Sequence, residues 1–232
     1  LPVTVHVSII TRVTFSLPPV VPVRDRRARR SRSALLRAAV DLVGERGTAA
    51  VPISDLADAA DVSRQVLYQQ FGDRDALLLE AALDLARRDL MPRLGDPAAA
   101  VPGRARSLAV ARHFAEHRGF YRALMTGSTA FALGKALSGL LVPFNRQLFQ
   151  EALGGTLDAR TMDDLAMCLA GGGQALVCAW LIEGEDPLDP EEFADRTTRM
   201  VTVLVSALLT VHAPGGAPGA LASGQPGERT IR

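Results

Sequence analysis

The chain has 232 residues, 48% of them hydrophobic, with 26 basic and 25 acidic side chains for a net charge of +1. That length and apolar content are enough for a sizeable core in one large or two small domains, and they exclude a wholly disordered, highly charged chain. The near-neutral balance neither demands nor forbids a nucleic-acid partner, so the distribution of charge along the chain carries the argument.

Residues 1–23 differ from the rest. Val3, Val5, Val7 and Ile9 alternate with Thr4, His6 and Ser8, and prolines 18, 19 and 22 end the pattern. A lone strand has nothing to pair with in a helical chain, and the segment lacks the basic start and small-residue cleavage site of a signal peptide. A disordered extension or a mis-assigned start is expected. From Arg24 to Arg37 there are seven arginines and one aspartate, a local balance of +6. This basic arm, with Arg30 and Arg32 at its centre, has the composition for phosphate contact. Helix 1 is predicted over 31–46: Leu35, Leu36, Ala39, Val40, Leu42 and Val43 form its apolar stripe and Gly47 ends it. Pro52 suits the first turn of the next helix, with capping expected to fall to Ser54.

The stretch Ile53 to Arg74, ISDLADAADVSRQVLYQQFGDR, predicts two short helices joined by a tight turn. The first spans 54–60 and buries Leu56, Ala57 and Ala60. Asp61 tolerates the left-handed turn, and Ser63 is a good N-cap. The second spans about 64–70. At 100° per residue, Arg64, Gln65, Tyr68 and Gln69 share an arc of about 140°, while the other side is mostly apolar. Such a helix fits a DNA major groove. Arg bonds the guanine edge in bidentate fashion and Gln the adenine edge, and a Tyr hydroxyl suits a phosphate oxygen.

The run LADAADVSRQVLYQQFGDRDALL resembles the TetR-family helix-turn-helix and the start of its fourth helix. The matching residues are Leu56, Ala57, Ala60, Val62, Ser63, Leu67, Tyr68, Phe71 and Leu77. Asp61 stands where the family has its turn glycine, and Arg74 where it has lysine; both keep the physics of the position. The resemblance implies base contacts from Arg64, Gln65 and Gln69. Phosphate contacts are then expected from Ser63, Tyr68, Arg74 and the arm around Arg30 and Arg32. It implies an all-α fold of about nine helices: a three-helix DNA-binding head over 24–75 and a larger effector-binding and dimerisation body over 76–212.

Helix 4 is predicted to open at the N-cap Asp73 and run to about Leu90, with Met91-Pro92 and Gly95-Asp96-Pro97 as its breakers. By resemblance it links head to body. Apolar helices are then predicted at 103–117, 119–126, 128–152, 159–183 and 190–211, and a disordered Gly/Pro-rich tail over 213–232. Cys168 and Cys178, ten residues apart on one helix, stand about 15 Å apart along its axis and cannot bridge. A reducing cytoplasm is therefore the expected setting, and no apolar run of membrane-spanning length is read.

Gly171-Gly172-Gly173 in mid-helix costs roughly 1 kcal/mol per residue relative to Ala, and close helix approach is the simplest compensation. Met200, Val203, Leu204, Ala207, Leu208 and Val211 line one side of the last helix. By resemblance the last two helices form a homodimer, and a dimer implies a palindromic operator. A largely apolar small-molecule effector is expected among Phe114, His117, Tyr121, Met125, Phe131, Phe144 and Met167, with Gln174 as a polar contact; Phe120 and Trp180 are large side chains in the same region. Each of these also suits plain core packing.

One motif points elsewhere. His113-Phe114-Ala115-Glu116-His117 fits H-x-x-E-H, so His113 and His117 share a helix face and are able to hold one Zn²⁺. A metal-sensing regulator or a metallopeptidase with Glu116 as base are the alternatives, with only Glu183 or Glu185 as loose third ligands. The preferred reading is a ligand-responsive regulator, a repressor, with no enzymatic activity, cofactor or resident metal.

Overall fold

The computed structural model describes residues 23–95 and 103–211. The expected N-terminal extension and the expected C-terminal tail lie outside the described residues. Among the described residues all regular structure is helical. Nine helices carry the fold there: α1 (Val23–Arg46), α2 (Ile53–Ala59), α3 (Arg64–Phe71), α4 (Arg74–Leu85), α5 (Gly103–Glu116), α6 (Arg118–Met125), α7 (Ala130–Leu153), α8 (Ala159–Glu183) and α9 (Pro190–Val211).

Helix α1 begins eight residues before the predicted Ser31. Arg and Ala are strong helix formers, and nothing between Val23 and Ser31 breaks the run. Leu35, Ala39 and Val43 are completely buried. Gly47 then takes a φ of 63° and its N–H donates to the Val43 carbonyl, closing the helix. The expected cap at Ser54 is not made. Pro52 occupies the N-cap of α2 without a side-chain bond, and the Ser54 hydroxyl donates to the Asp55 carboxylate instead.

Helix α4 opens on Asp73, whose carboxylate accepts from the Ala76 N–H at 2.7 Å. The predicted break at Met91-Pro92 does not occur, and the helical path ends instead at the other predicted breaker, Gly95. The helix passes into a π-helical stretch (Ala86–Leu90) and then a last turn (Met91–Leu94). The change of register brings Pro92 to the head of a new turn, where its missing N–H costs least.

Head and body share one core. A single cluster of buried side chains runs from Leu35, Leu56 and Leu67 through Leu77 and Leu85 to Phe114, Tyr121 and Leu181. A smaller one (Phe149, Leu153, Met162, Ala166) closes the far end of α7 and α8. The join between α1 and α6 is tight: a Cβ on Gly119 would sit 2.6 Å from the Gly44 carbonyl oxygen. Any larger residue at 119 would force the head away from the body.

Helix α8 differs from the expectation about membrane-length runs. It is long and apolar enough to cross a bilayer, by length and composition only, and 28% of its most apolar window is buried. The covered side packs on α7. Met167, Cys168, Gly171, Gly172, Ala175 and Ala179 form an exposed stripe on the other side.

Candidate DNA-reading face and effector cavity

The turn between α2 and α3 is built as the sequence suggests. Asp61 has a φ of 51°, a conformation that Asp enters more cheaply than most residues. The Val62 N–H donates to the Ala57 carbonyl at 3.0 Å, and the Ser63 hydroxyl accepts from the Val66 N–H at 3.4 Å. Leu67 is fully buried and anchors one side of α3, which fixes the rotation of the helix. Arg64, Gln65, Tyr68 and Gln69 consequently point outward together, Tyr68 with 52% of its surface exposed. Gly72 ends α3 with a φ of 83°.

The arginines of α1 divide. Arg26, Arg27 and Arg30 are exposed. Arg32, expected with Arg30 to hold phosphates, is engaged within the protein. Its guanidinium bonds the Glu80 carboxylate at 2.5 Å, lies over the Phe71 ring at 4.5 Å and reaches the Gln70 carbonyl at 3.5 Å. Gln70 in turn donates to the Ala28 carbonyl at 3.3 Å. Together Arg32 and Gln70 brace the basic start of α1 against the end of α3. Sequence reasoning could not pair Arg32 with Glu80 because they are far apart in the chain.

Arg74 bonds Asp75 at 3.1 Å, and Asp75 accepts from the Ser128 hydroxyl at 2.5 Å. The Ser128 hydrogen bond, with help from Arg74, holds the Asp75 carboxyl below its ordinary value. Arg46 does the same for Asp55 at 2.6 Å. Arg74 thus sits where head meets body.

The body holds a cavity of about 190 Å³ between α5, α7, α8 and α9. Of the residues expected there, Phe114, Phe144 and Gln174 line it; the other five do not. Tyr121 is fully buried in the core, and Met125 is nearly so. Phe131 is 85% exposed on the outside of α7, and Met167 is 63% exposed on the uncovered stripe of α8. His117 faces Asp89, at 4.0 Å, on another side of the body. Residue size marks an apolar position but not which side of a helix faces a space.

The cavity wall that the sequence reading missed is α9, with Phe193, Thr197, Thr198 and Val201, and the start of α5 at Arg106. A signal for Arg106 was present. Arg106, Val110 and Phe114 fall at i, i+4 and i+8, on one stripe of α5.

His113 is fully buried, and its Nε2 lies 2.9 Å from the Tyr121 hydroxyl, which donates to the Ala82 carbonyl at 3.3 Å. The Tyr121 hydroxyl is thus held between the imidazole and the α4 backbone. Burial pushes the His113 pKa down to about 4, assisted by His117 nearby. A neutral histidine engaged in this way supports the junction with α4. Among the described residues no group of three His, Cys, Asp or Glu side chains is arranged to hold a metal ion. The carboxylates weighed as base or third ligand, Glu116, Glu183 and Glu185, are all exposed.

A helix-turn-helix joined through α4 to a helical body with its own cavity gives the chain a two-part architecture. Residues 35–81 match the family described as bacterial regulatory proteins, tetR family, a match that spans most of α1, the helix-turn-helix and the start of α4. Solved structures share the architecture. One is Thermus thermophilus FadR, a TetR-family transcriptional repressor in complex with lauroyl-CoA: TM-score 0.56, 19% identity, covering 84% of this chain and 100% of that one. A TetR-like regulator from Rhodococcus sp. RHA1 gives a TM-score of 0.51 at 19% identity, over 76% and 96% of the two chains. DhaS, a dihydroxyacetone kinase operon activator, gives 0.51 at 15% identity, over 76% and 97%. At these identities the likeness is one of fold. No curated protein matches the sequence.

Proposed function

We propose that this protein is a cytoplasmic transcriptional repressor that binds a palindromic operator as a homodimer and leaves it when a small, largely apolar molecule enters the body. It acts by binding rather than catalysis. The observation that carries the reading is the outward face of α3. Arg64, Gln65, Tyr68 and Gln69 are exposed on one side of a helix whose other side is anchored by Leu67. Arg64 and the glutamines have the donors and acceptors to read base edges. Ser63, Tyr68, Arg74 and Arg30 have the chemistry to hold phosphates.

The dimer rests on α8 and α9. A Cβ on Gly171 or Gly172 would meet nothing within 4 Å, and both are exposed, so these two glycines have no packing role within the described part of one chain. Next to them run Met167, Cys168 and Ala175, and on α9 the exposed Val203, Leu204 and Val211. A second copy laid across both helices would cover this apolar surface and offset the cost of the glycines. Relief of repression follows the fold shared with FadR, whose complex holds lauroyl-CoA. DhaS carries the opposite sign, as an activator, on the same fold. Repression is therefore tested on a reporter, whereas operator binding is tested directly.

Selection of bound sequences from a random DNA pool, with purified protein and a chelator present, is the experiment. A recovered palindrome supports the regulator and shows that binding needs no metal. Absence of enrichment, with or without added Zn²⁺, contradicts it.

A further inference from the structure

The cavity between α5, α7, α8 and α9 has one cation and no acid among the described residues of its wall. That cation is Arg106. Its neighbours on α5 are neutralised: Arg104 by Asp195 at 2.6 Å and Glu191 at 2.9 Å, and Arg112 by Glu191 at 2.8 Å. Arg106 has no carboxylate partner among the described residues, and its Nε–H is buried without an acceptor. Across from it on α9, Thr197 donates to the Phe193 and Ala194 carbonyls, and Thr202 to the Thr198 carbonyl. Thr198 is the exception: its hydroxyl is buried without a partner. Among the described residues, two of the four buried side-chain atoms left unpartnered, on two different helices, therefore belong to residues that line one cavity.

Buried donors of this kind are unfavourable unless paired, and a guanidinium pairs best with an anionic oxygen. The rest of the wall is largely apolar, including Leu141, Phe144, Leu148, Leu169, Val177 and Val201. The volume of about 190 Å³ exceeds the roughly 150 Å³ of a dry cavity that accepts benzene. It falls short of the roughly 300–1,000 Å³ of drug-sized pockets. We propose that the ligand of this cavity is a small monocarboxylic acid with a compact apolar body, its carboxylate accepting hydrogen bonds from Arg106 and Thr198. This inference rests on the effector reading above and adds the ligand's charge and size. An amine or alcohol of the same length leaves Arg106 without its counterion and binds more weakly.

Octanoate, octanol and octylamine separate these cases, and the chain supplies its own reporter. Trp180 is the single tryptophan, and its ring stacks on Phe193, a cavity residue, with centroids 4.2 Å apart. Titrations of the full chain are followed by Trp180 fluorescence and calorimetry. Octanoate is expected to bind about ten- to hundredfold more tightly than octanol or octylamine. Arg106→Gln should remove most of that advantage while leaving octanol affinity unchanged, and Thr198→Val should remove part of it.

Equal affinity for the three probes, or octanoate binding unaffected by Arg106→Gln, overturns the carboxylate. Octanol unchanged in the variant also shows that Arg106→Gln still folds. If none of the three binds yet another small molecule releases the operator, the acid is wrong and effector control stands. If no ligand ever shifts operator affinity, the effector reading itself fails.

Discussion

The head and the body use their polar side chains in opposite directions. In α3 the apolar Leu67 faces inward and Arg64, Gln65, Tyr68 and Gln69 face solvent. In α5 and α9, Arg106 and Thr198 line a cavity between helices, and the exposed stripes of α8 (Met167 to Ala179) and of the end of α9 (Val203, Leu204, Val211) are apolar. A surface that meets a charged duplex keeps its donors outside, whereas a body that encloses a small molecule turns a few of them inward. Between the two lies a tight junction: Gly44 against Gly119, Ser128 bonded to Asp75, and His113 relayed through Tyr121 to Ala82. A change of shape in the cavity has short routes to α4 through these contacts, which is the coupling that effector control requires.

The largest expected effect tests whether the regions are energetically separate. Leu67→Ala empties a fully buried site in the head and should cost about 2–5 kcal/mol. Because the core is continuous from Leu67 to Leu181, urea unfolding followed at Trp180, in the body, should shift by the same amount. An unchanged Trp180 transition would show that the head unfolds alone.

The junction adds a pH dependence. The His113 pKa is lowered to about 4 from 6.5, so the unfolded chain binds the proton more readily. The contribution is fully present above pH 6.5 and declines as the pH falls toward 4. Between pH 6.5 and pH 5 it should lose on the order of 2 kcal/mol. His113→Asn should flatten the wild-type decline by about that amount; parallel urea-stability curves for the two proteins would remove His113 as the cause.

Salt dependence separates two arginines of the head. Operator affinity should fall steeply with added salt, with a slope that decreases by roughly one for each phosphate-contacting arginine removed. Arg30→Ala should reduce the slope measured by fluorescence anisotropy. Arg32→Ala should instead lower thermal stability, since Arg32 is bound to Glu80 and Phe71. The reverse pattern would exchange their roles. The smallest effect is expected at Gln174, on the cavity wall. Gln174→Ala should alter effector response while changing operator affinity without effector by no more than about 0.5 kcal/mol, and equal changes in both would make it a packing residue.

The same contrast explains what the sequence made legible. The turn at Asp61, the cap at Ser63 and the outward arc of α3 are local, set by residues within a few positions of one another. The ends of α5 to α9 also followed from local breakers such as Gly184 and Pro190. The cavity is a product of four helices whose relative rotation no local pattern states. Phe131 and Phe144 look alike in sequence, yet one lies outside and the other on the cavity wall. Arg32 and Arg30 look alike too, and only the distant Glu80 distinguishes them. The π-helical stretch that carries α4 past Pro92 had no signal beyond the proline itself.

The central claim is that the exposed side of α3 reads bases. Its most direct test is a scan of single base-pair substitutions across the selected operator, measured with the wild type and with Arg64→Ala. The variant is expected to lose about 1–3 kcal/mol and to become indifferent to substitution at one symmetric pair of positions, with its preferences elsewhere unchanged. A loss spread evenly over every sequence, specific or random, would contradict the claim and reduce Arg64 to a phosphate contact.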